Sequence, residues 1–147
     1  MHFIDLKRIG LLGCGAIGTQ IALAIDSGKI PAILTHVYDT KRSQADNLVS
    51  KLQQKPEVVA NSHLLSSNQL DLVVEAASQD AVRNDAVSIL QNKKDLMIMS
   101  AGALLDESIF EVISDACKDF GKTVYLPSGA IAGLDALKAV KDELESV

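Results

Sequence analysis

Short apolar runs alternate along the chain with stretches whose apolar residues recur three or four positions apart. The runs predict six short, buried strands, because each is bounded by polar or turn-forming residues. These strands are expected at Ile9–Leu12, Ile33–Asp39, Glu57–Ala60, Leu70–Glu75, Leu96–Ser100 and Thr123–Leu126. The periodic stretches predict helices at Ala16–Ser27, Lys41–Gln53, Gln79–Asn92, Glu107–Phe120 and Leu134–Leu144. The first helix should bury one face that includes Ile17, and His63 is expected in a polar loop.

Strands that alternate with helices form a parallel sheet, because each crossover helix packs back onto the sheet and covers one of its faces. The pattern therefore predicts an α/β fold, a Rossmann doubly wound parallel six-stranded sheet with strand order 3-2-1-4-5-6. The length of 147 residues is enough for one domain with one core. We expect a single domain over residues 1–147.

The segment G-C-G-A-I-G, between the first strand and the first helix, has the spacing of a dinucleotide-binding loop. Gly13 would permit the tight turn, Gly15 would leave room for a pyrophosphate, and Gly18 would let helix and strand approach closely. The N–H groups at the helix start, including those of Ala16 and Ile17, would stabilise the phosphate charge. This loop predicts a dinucleotide cofactor.

Asp39 ends the second predicted strand, 21 residues after Gly18. A carboxylate there would accept hydrogen bonds from the adenosine ribose and repel a 2′-phosphate, which favours NAD. Thr40, the next residue, is assigned to the same site. Lys41 and Arg42 follow at once, and their cations could accommodate that phosphate, so NADP stays open.

The composition argues against several other classes of function. A net charge of −5 with no basic run longer than a pair argues against nucleic acid. Two cysteines without metal-type spacing predict no metal site and indicate reduced thiols in the cytoplasm. The apolar runs are too short to span a membrane.

Three small-residue segments follow predicted strands and should meet at one edge of the sheet, where ligands bind in such folds. They are E-A-A-S at 75–78, S-A-G-A at 100–103 and L-P-S-G-A-I-A-G-L-D at 126–135. The first two place four further residues in the predicted cofactor site: Ala76, Ala77, Ser78 and Ser100. The third, with two glycines and a proline before a helix, could bring backbone N–H groups close to a flat ring.

Together with G-C-G-A-I-G, these segments resemble the L-aspartate dehydrogenase family over nearly the whole chain and in the same order. The resemblance implies a dehydrogenase that converts L-aspartate and NAD(P) to iminosuccinate, then to oxaloacetate and ammonia. It also implies that Ser128, Gly129 and Ala130 lie beside the nicotinamide. Ala132 departs from the family, which usually has a second glycine there.

The family has a C-terminal domain that carries a catalytic histidine, and this chain ends about where that domain should begin. The resemblance therefore implies a cofactor-binding half with no catalytic residue of its own, whose dicarboxylic amino acid substrate binds the full-length protein. The apolar stripe of the last predicted helix suggests a homodimer. A stand-alone nucleotide-sensing Rossmann module and a reductase of another small amino or oxo acid remain alternatives.

Overall fold

Six parallel strands form one sheet in a computed structural model that describes residues 5–67 and 69–127. The strands are β1 (Lys7–Leu12), β2 (Ala32–Tyr38), β3 (Glu57–Val58), β4 (Leu72–Glu75), β5 (Asp95–Ile98) and β6 (Val124–Tyr125). Their order is β3-β2-β1-β4-β5-β6, and every neighbouring pair is parallel. The predicted fold class and strand order are therefore confirmed. The predicted helix at Leu134–Leu144 and the site residues Ser128, Gly129 and Ala130 lie outside the described residues.

Helices cover both faces of this sheet and bury two apolar clusters. The helices are α1 (Ala16–Asp26), α2 (Arg42–Ser50), α3 (Ser62–Ser67), α4 (Gln79–Gln91) and α5 (Glu107–Phe120), with a 3-10 helix at Ala101–Leu105. One cluster contains residues of α1 and α2, and the other contains residues of α3, α4 and α5. Within β4, Leu72 and Val74 belong to the first cluster and Val73 to the second. Successive side chains of a strand point to opposite faces, so β4 is covered on both.

The structure corrects three local predictions. His63 lies in the short helix α3, whereas the polar sequence around it had predicted a loop. The segment after β5 forms a 3-10 helix that the sequence pattern did not predict. Ile17 is 39% exposed, because it lies in the first turn of α1, beyond the end of the sheet, while Ile21 and Ile25 on the same helix are buried.

One carboxylate on the surface joins two helical segments. Asp26, the last residue of α1, accepts hydrogen bonds from the backbone N–H groups of Gln53 at 2.9 Å and Gln54 at 2.8 Å. These two donors hold the pKa of Asp26 below its ordinary value, because they stabilise the charged form. The end of α1 and the turn after α2 are thereby fixed to each other.

We predict that Asp26→Asn lowers the urea midpoint of unfolding at neutral pH, because an amide offers one acceptor oxygen for two N–H groups. A carboxyl whose folded pKa is lowered stabilises the fold above its unfolded pKa and loses that effect as the pH falls through the folded pKa. The difference between wild type and variant should therefore shrink as the pH falls below the ordinary pKa of an aspartate. Asp115→Asn, which removes an exposed pair with Lys118, is the control and should change little. Equal midpoints for wild type and Asp26→Asn at neutral pH would contradict the prediction.

Candidate cofactor site

A cleft of about 530 Å³ lies at the carboxyl ends of β1, β2 and β4. Seven of the predicted cofactor residues line it: Gly13, Gly15, Asp39, Thr40, Ala76, Ala77 and Ser78. Ala16, Ile17 and Gly18 follow the glycine loop at the start of α1, and Ser100 follows β5. The structure therefore brings the described members of the predicted site to one edge of the sheet. Whether they bind a cofactor stays a prediction.

Gly13 makes the turn that leads out of β1. Its φ of +102° is strained for any residue with a side chain. Its N–H donates to the Tyr38 carbonyl at 2.8 Å, and an added Cβ would lie 2.5 Å from the Ala76 carbonyl oxygen. The turn is therefore held between the ends of β2 and β4, with no space for a side chain.

Gly15 and Gly18 differ in what surrounds them. A Cβ on Gly18 would overlap the carbonyl oxygen of Gly13, so α1 approaches the end of β1 only because residue 18 is a glycine. A Cβ on Gly15 would meet no atom of residues 5–67 and 69–127 within 4 Å. The protein itself therefore does not require a glycine at position 15, and the space beside it opens into the cleft.

The N-terminus of α1 presents free donors toward this space. Gly15 is the N-cap, and Thr19 N–H, which bonds to the Gly15 carbonyl at 2.9 Å, begins the hydrogen-bond ladder of the helix. The N–H groups of Ala16, Ile17 and Gly18 precede that ladder, and the first turn of a helix has no partners of its own for such groups. The first turn holds no acidic side chain. An anion placed there would meet backbone donors and the positive end of the helix dipole.

Asp39 follows β2 directly and connects two loops. One carboxylate oxygen accepts the Cys14 N–H at 2.9 Å, and the other accepts the Lys41 N–H at 2.8 Å. Each carboxylate oxygen can accept a second hydrogen bond, so the group could still bind ribose hydroxyls. The sequence indicated that Asp39 could bind the ribose. It gave no signal that Asp39 also connects two loops through backbone N–H groups.

Cys14, between two glycines of the loop, is 4% exposed and its thiol points toward the Tyr38 carbonyl oxygen at 3.7 Å. Burial, and secondarily the Asp39 carboxylate, raise the pKa of the Cys14 thiol to about 12. A thiol with that pKa is protonated at neutral pH and is a poor nucleophile. Cys14 therefore fills the loop as a small buried side chain.

Glu75 connects the loops that follow β4 and β5. It is 1% exposed, and its side chain accepts the N–H of Ala77 at 2.7 Å and the N–H and hydroxyl of Ser100 at 3.0 and 2.9 Å. The predicted cofactor residues Ala77 and Ser100 are thereby held together by one carboxylate. Sequence reasoning placed Glu75 at the end of a strand beside the ligand edge but gave no signal for these contacts.

Polar residues that the sequence pattern had not indicated line the rest of the cleft. They are Gln44 on α2, Ser62 on α3 and Asp80, Asn84 and Asp85 on α4. Ser78 is the N-cap of α4, and its hydroxyl accepts the Ala81 N–H at 3.1 Å. Gln44, Ser62 and Asp80 lie on the first turns of helices beside this edge, and Asn84 and Asp85 lie one turn further along α4.

The surrounding charges of the cleft are mainly negative. Three carboxylates line it, those of Asp39, Asp80 and Asp85. The Arg42 guanidinium pairs with Asp46 at 3.1 Å along α2. One of the two cations that the sequence offered for a 2′-phosphate is thus engaged by a neighbouring carboxylate.

Residues 5–67 and 69–127 contain neither a metal site nor a membrane-spanning helix. No group of three or more His, Cys, Asp or Glu side chains is arranged to hold a metal ion there. No helix in this part of the chain has the length and apolar character needed to cross a bilayer. His36 contacts the Glu57 carboxylate across β2 and β3 at 3.6 Å, away from the cleft.

Comparison with known proteins relates the chain to dehydrogenases. The L-aspartate dehydrogenase of Nitrosopumilus maritimus is 69% identical over 142 residues, which are 97% of this chain and 52% of that protein. That of Methanocaldococcus jannaschii is 44% identical over 144 residues, or 97% of this chain and 53% of that protein. The chain thus spans about half the length of the curated relatives it matches.

Solved structures with the same fold are also dehydrogenases and reductases. The apo scyllo-inositol dehydrogenase of Lactobacillus casei superposes with a TM-score of 0.75 at 19% identity, over 85% of this chain and 37% of that one. Biliverdin reductase from Synechocystis, solved with biliverdin and NADP+, gives a TM-score of 0.72 at 16% identity, over 82% and 37%. At such identities the likeness shows the fold alone.

A sequence profile of one family covers every residue that lines the cleft except Leu12. The family is described as "Homoserine dehydrogenase, NAD binding domain", and its profile matches residues 13–127. The match begins at Gly13 and includes Asp39, Glu75 and Ser100. The chain therefore belongs to this family of NAD-binding domains.

Proposed function

We propose that this chain is the NAD-binding part of an L-aspartate dehydrogenase. The observation that carries the cofactor assignment is the open space beside Gly15, which faces the N-terminus of α1 and lies in one cleft with Asp39. The substrate assignment rests on the similarity to L-aspartate dehydrogenases over 97% of the chain. We also propose that residues 1–147 form one dinucleotide-binding domain and that catalytic groups lie in the other half of the full-length protein.

In this proposal the residues of the cleft bind and orient the cofactor. The N–H groups of Ala16, Ile17 and Gly18 bind the pyrophosphate, and Asp39 accepts hydrogen bonds from the adenosine ribose. Ala77 and Ser100 lie on the side of the nicotinamide. Bound NAD supplies a hydride acceptor at C4 of its nicotinamide ring.

The overall reaction would oxidise the C–N bond of the substrate. L-aspartate loses a hydride from its α-carbon and a proton from its amine, which gives iminosuccinate, NADH and a proton. Water then adds to the C=N bond, and loss of ammonia leaves oxaloacetate. This domain contributes position and electrostatics to the first step.

NAD is the proposed cofactor in preference to NADP. The carboxylates of Asp39 and Asp85 would repel a 2′-phosphate in the cleft, whereas the Asp80 charge is partly compensated by Arg83. Arg42 is paired with Asp46, so its charge is partly compensated. Lys41 is the remaining cation beside Asp39, and it leaves some NADP binding open.

We further propose that the protein is a cytoplasmic homodimer. Both cysteines are free thiols, which is typical of a reducing compartment. Phe110 and Val112 on α5 and Leu126 after β6 are each 52% exposed, and apolar side chains exposed in this way commonly mark association surfaces.

We predict that Gly15→Ala weakens NADH binding by at least about tenfold without lowering the thermal midpoint. The new methyl group meets no atom of the described residues but occupies the space proposed for the pyrophosphate. Gly18→Ala is the contrasting variant and should lower the thermal midpoint, because its methyl group overlaps the Gly13 carbonyl oxygen. Calorimetric titration and thermal melts measure both effects. Unchanged NADH affinity in folded Gly15→Ala would refute the proposed position of the cofactor.

Asp39→Asn should narrow the preference for NADH over NADPH by about tenfold, because it removes a negative charge beside the ribose. An amide can still accept one of the two backbone N–H groups that Asp39 now holds, which limits the disturbance of the loop. The matched control is Asp26→Asn, which also loses a carboxylate that accepts two backbone N–H groups but lies outside the cleft. A Kd ratio for NADH and NADPH that changes equally in both variants would show that Asp39 does not select the cofactor.

The 147-residue chain should bind NADH but should not turn over L-aspartate. The substrate carries two carboxylates that need cationic partners. Arg83, the arginine that follows the Ser78 loop, is paired with Asp80 at 3.0 Å. The assay follows NADH or NADPH formation with L-aspartate at alkaline pH, and the full-length protein is the positive control. A rate clearly above background for the chain alone would place catalytic groups within it and contradict the proposed division.

A further inference from the structure

Glu75 places a charge where the fold would otherwise be apolar. It is the last residue of β4, it is 1% exposed, and its neighbours Val73 and Val74 are fully buried. A carboxylate can only accept hydrogen bonds, and its three contacts come from the Ala77 N–H, the Ser100 N–H and the Ser100 hydroxyl. These contacts fix the carboxylate between two loops.

No cation in the part of the chain that the structure describes pairs with the Glu75 carboxylate. None of the ion pairs formed among residues 5–67 and 69–127 includes Glu75. Burying a carboxylate costs free energy unless a cation or enough hydrogen bonds compensate the charge. Here the compensation comes from two backbone dipoles and a hydroxyl, so the group retains the capacity to attract a cation that binds nearby.

Glu75 lies on the side of the cleft that the proposed function assigns to the nicotinamide half of the cofactor. In this fold a dinucleotide lies across the point where the strand order reverses, which here is between β1 and β4. Asp39, after β2, is proposed for the adenosine half. The other half then lies over the ends of β4 and β5, where Glu75 joins Ala77 to Ser100. The oxidised nicotinamide ring carries a positive charge and the reduced ring carries none.

We propose that Glu75 is a positioning residue whose buried negative charge stabilises the oxidised cofactor relative to the reduced one. This inference rests on the proposed function, because it requires that the cleft binds NAD. Glu75 does not touch the cofactor in this account. It acts through the two loops that it joins and through the electric field of its carboxylate, which solvent screens only weakly in a buried site.

The test compares Kd values for NAD+ and NADH in the 147-residue chain and its variants by calorimetry. Glu75→Gln removes the charge and keeps one acceptor oxygen, so Kd for NAD+ should rise about tenfold more than Kd for NADH. Ser100→Ala removes the hydroxyl contact and keeps the charge. Both cofactors should weaken together in Ser100→Ala, so the ratio of their Kd values should stay near that of wild type.

The outcomes separate this inference from the proposed function. If Glu75→Gln folds and weakens NAD+ and NADH equally, or weakens neither, the inference is overturned while the proposed function stands. If the wild-type chain binds neither cofactor, the proposed function itself fails.

Circular dichroism and a thermal melt establish whether Glu75→Gln folds. If Glu75→Gln does not fold, the wild-type chain tests the inference. Its buried charge should make NAD+ bind at least as tightly as NADH. NADH binding more than about tenfold tighter than NAD+ in wild type would overturn the inference.

Discussion

The close approach of α1 to the end of β1 determines the geometry of the whole ligand edge. Gly18 lies so near the Gly13 carbonyl that a single methyl group would separate helix from strand. Because Gly13 in turn is held against Tyr38 and Ala76, the ends of three strands depend on the same contact. The N-terminus of α1 therefore points into the cleft at a fixed angle, and the proposed anion site follows from packing.

Carboxylates that accept backbone N–H groups hold the remaining loops in place. Asp39 fixes the glycine loop and Glu75 joins the loops after β4 and β5, while Asp26 joins two helical ends. At the opposite ends of the strands, Asp71 accepts the Arg8 N–H at 2.7 Å and Asp95 accepts the Thr123 N–H at 2.9 Å. Charge-assisted hydrogen bonds of this type are stronger than neutral ones. The excess of acidic over basic residues in the chain thus has a structural use.

Much of the fold could be predicted from the sequence because its signals are local. Apolar runs identified the six strands, and helical spacing identified the helices between them. The alternation of strands with helices favoured a parallel sheet, which is the sheet that the structure has. The short helix α3 and the 3-10 helix were missed, since few residues in each belong to a buried stripe. Glu75 shows what a local pattern cannot predict. Its contact with Ser100 joins residues 25 positions apart in the sequence and exists only once β4 and β5 are paired.

The neutral thiol of Cys14 should make this loop resistant to oxidants. Peroxides and electrophiles react with thiolates, and susceptibility also requires access to solvent. Cys14 lacks both properties, because it is buried and its pKa is about 12. A cysteine beside a helix N-terminus would ordinarily have a lowered thiol pKa and react more readily. Here burial keeps that sulfur inert, and the Asp39 carboxylate that orders the loop adds to the effect by raising the thiol pKa further.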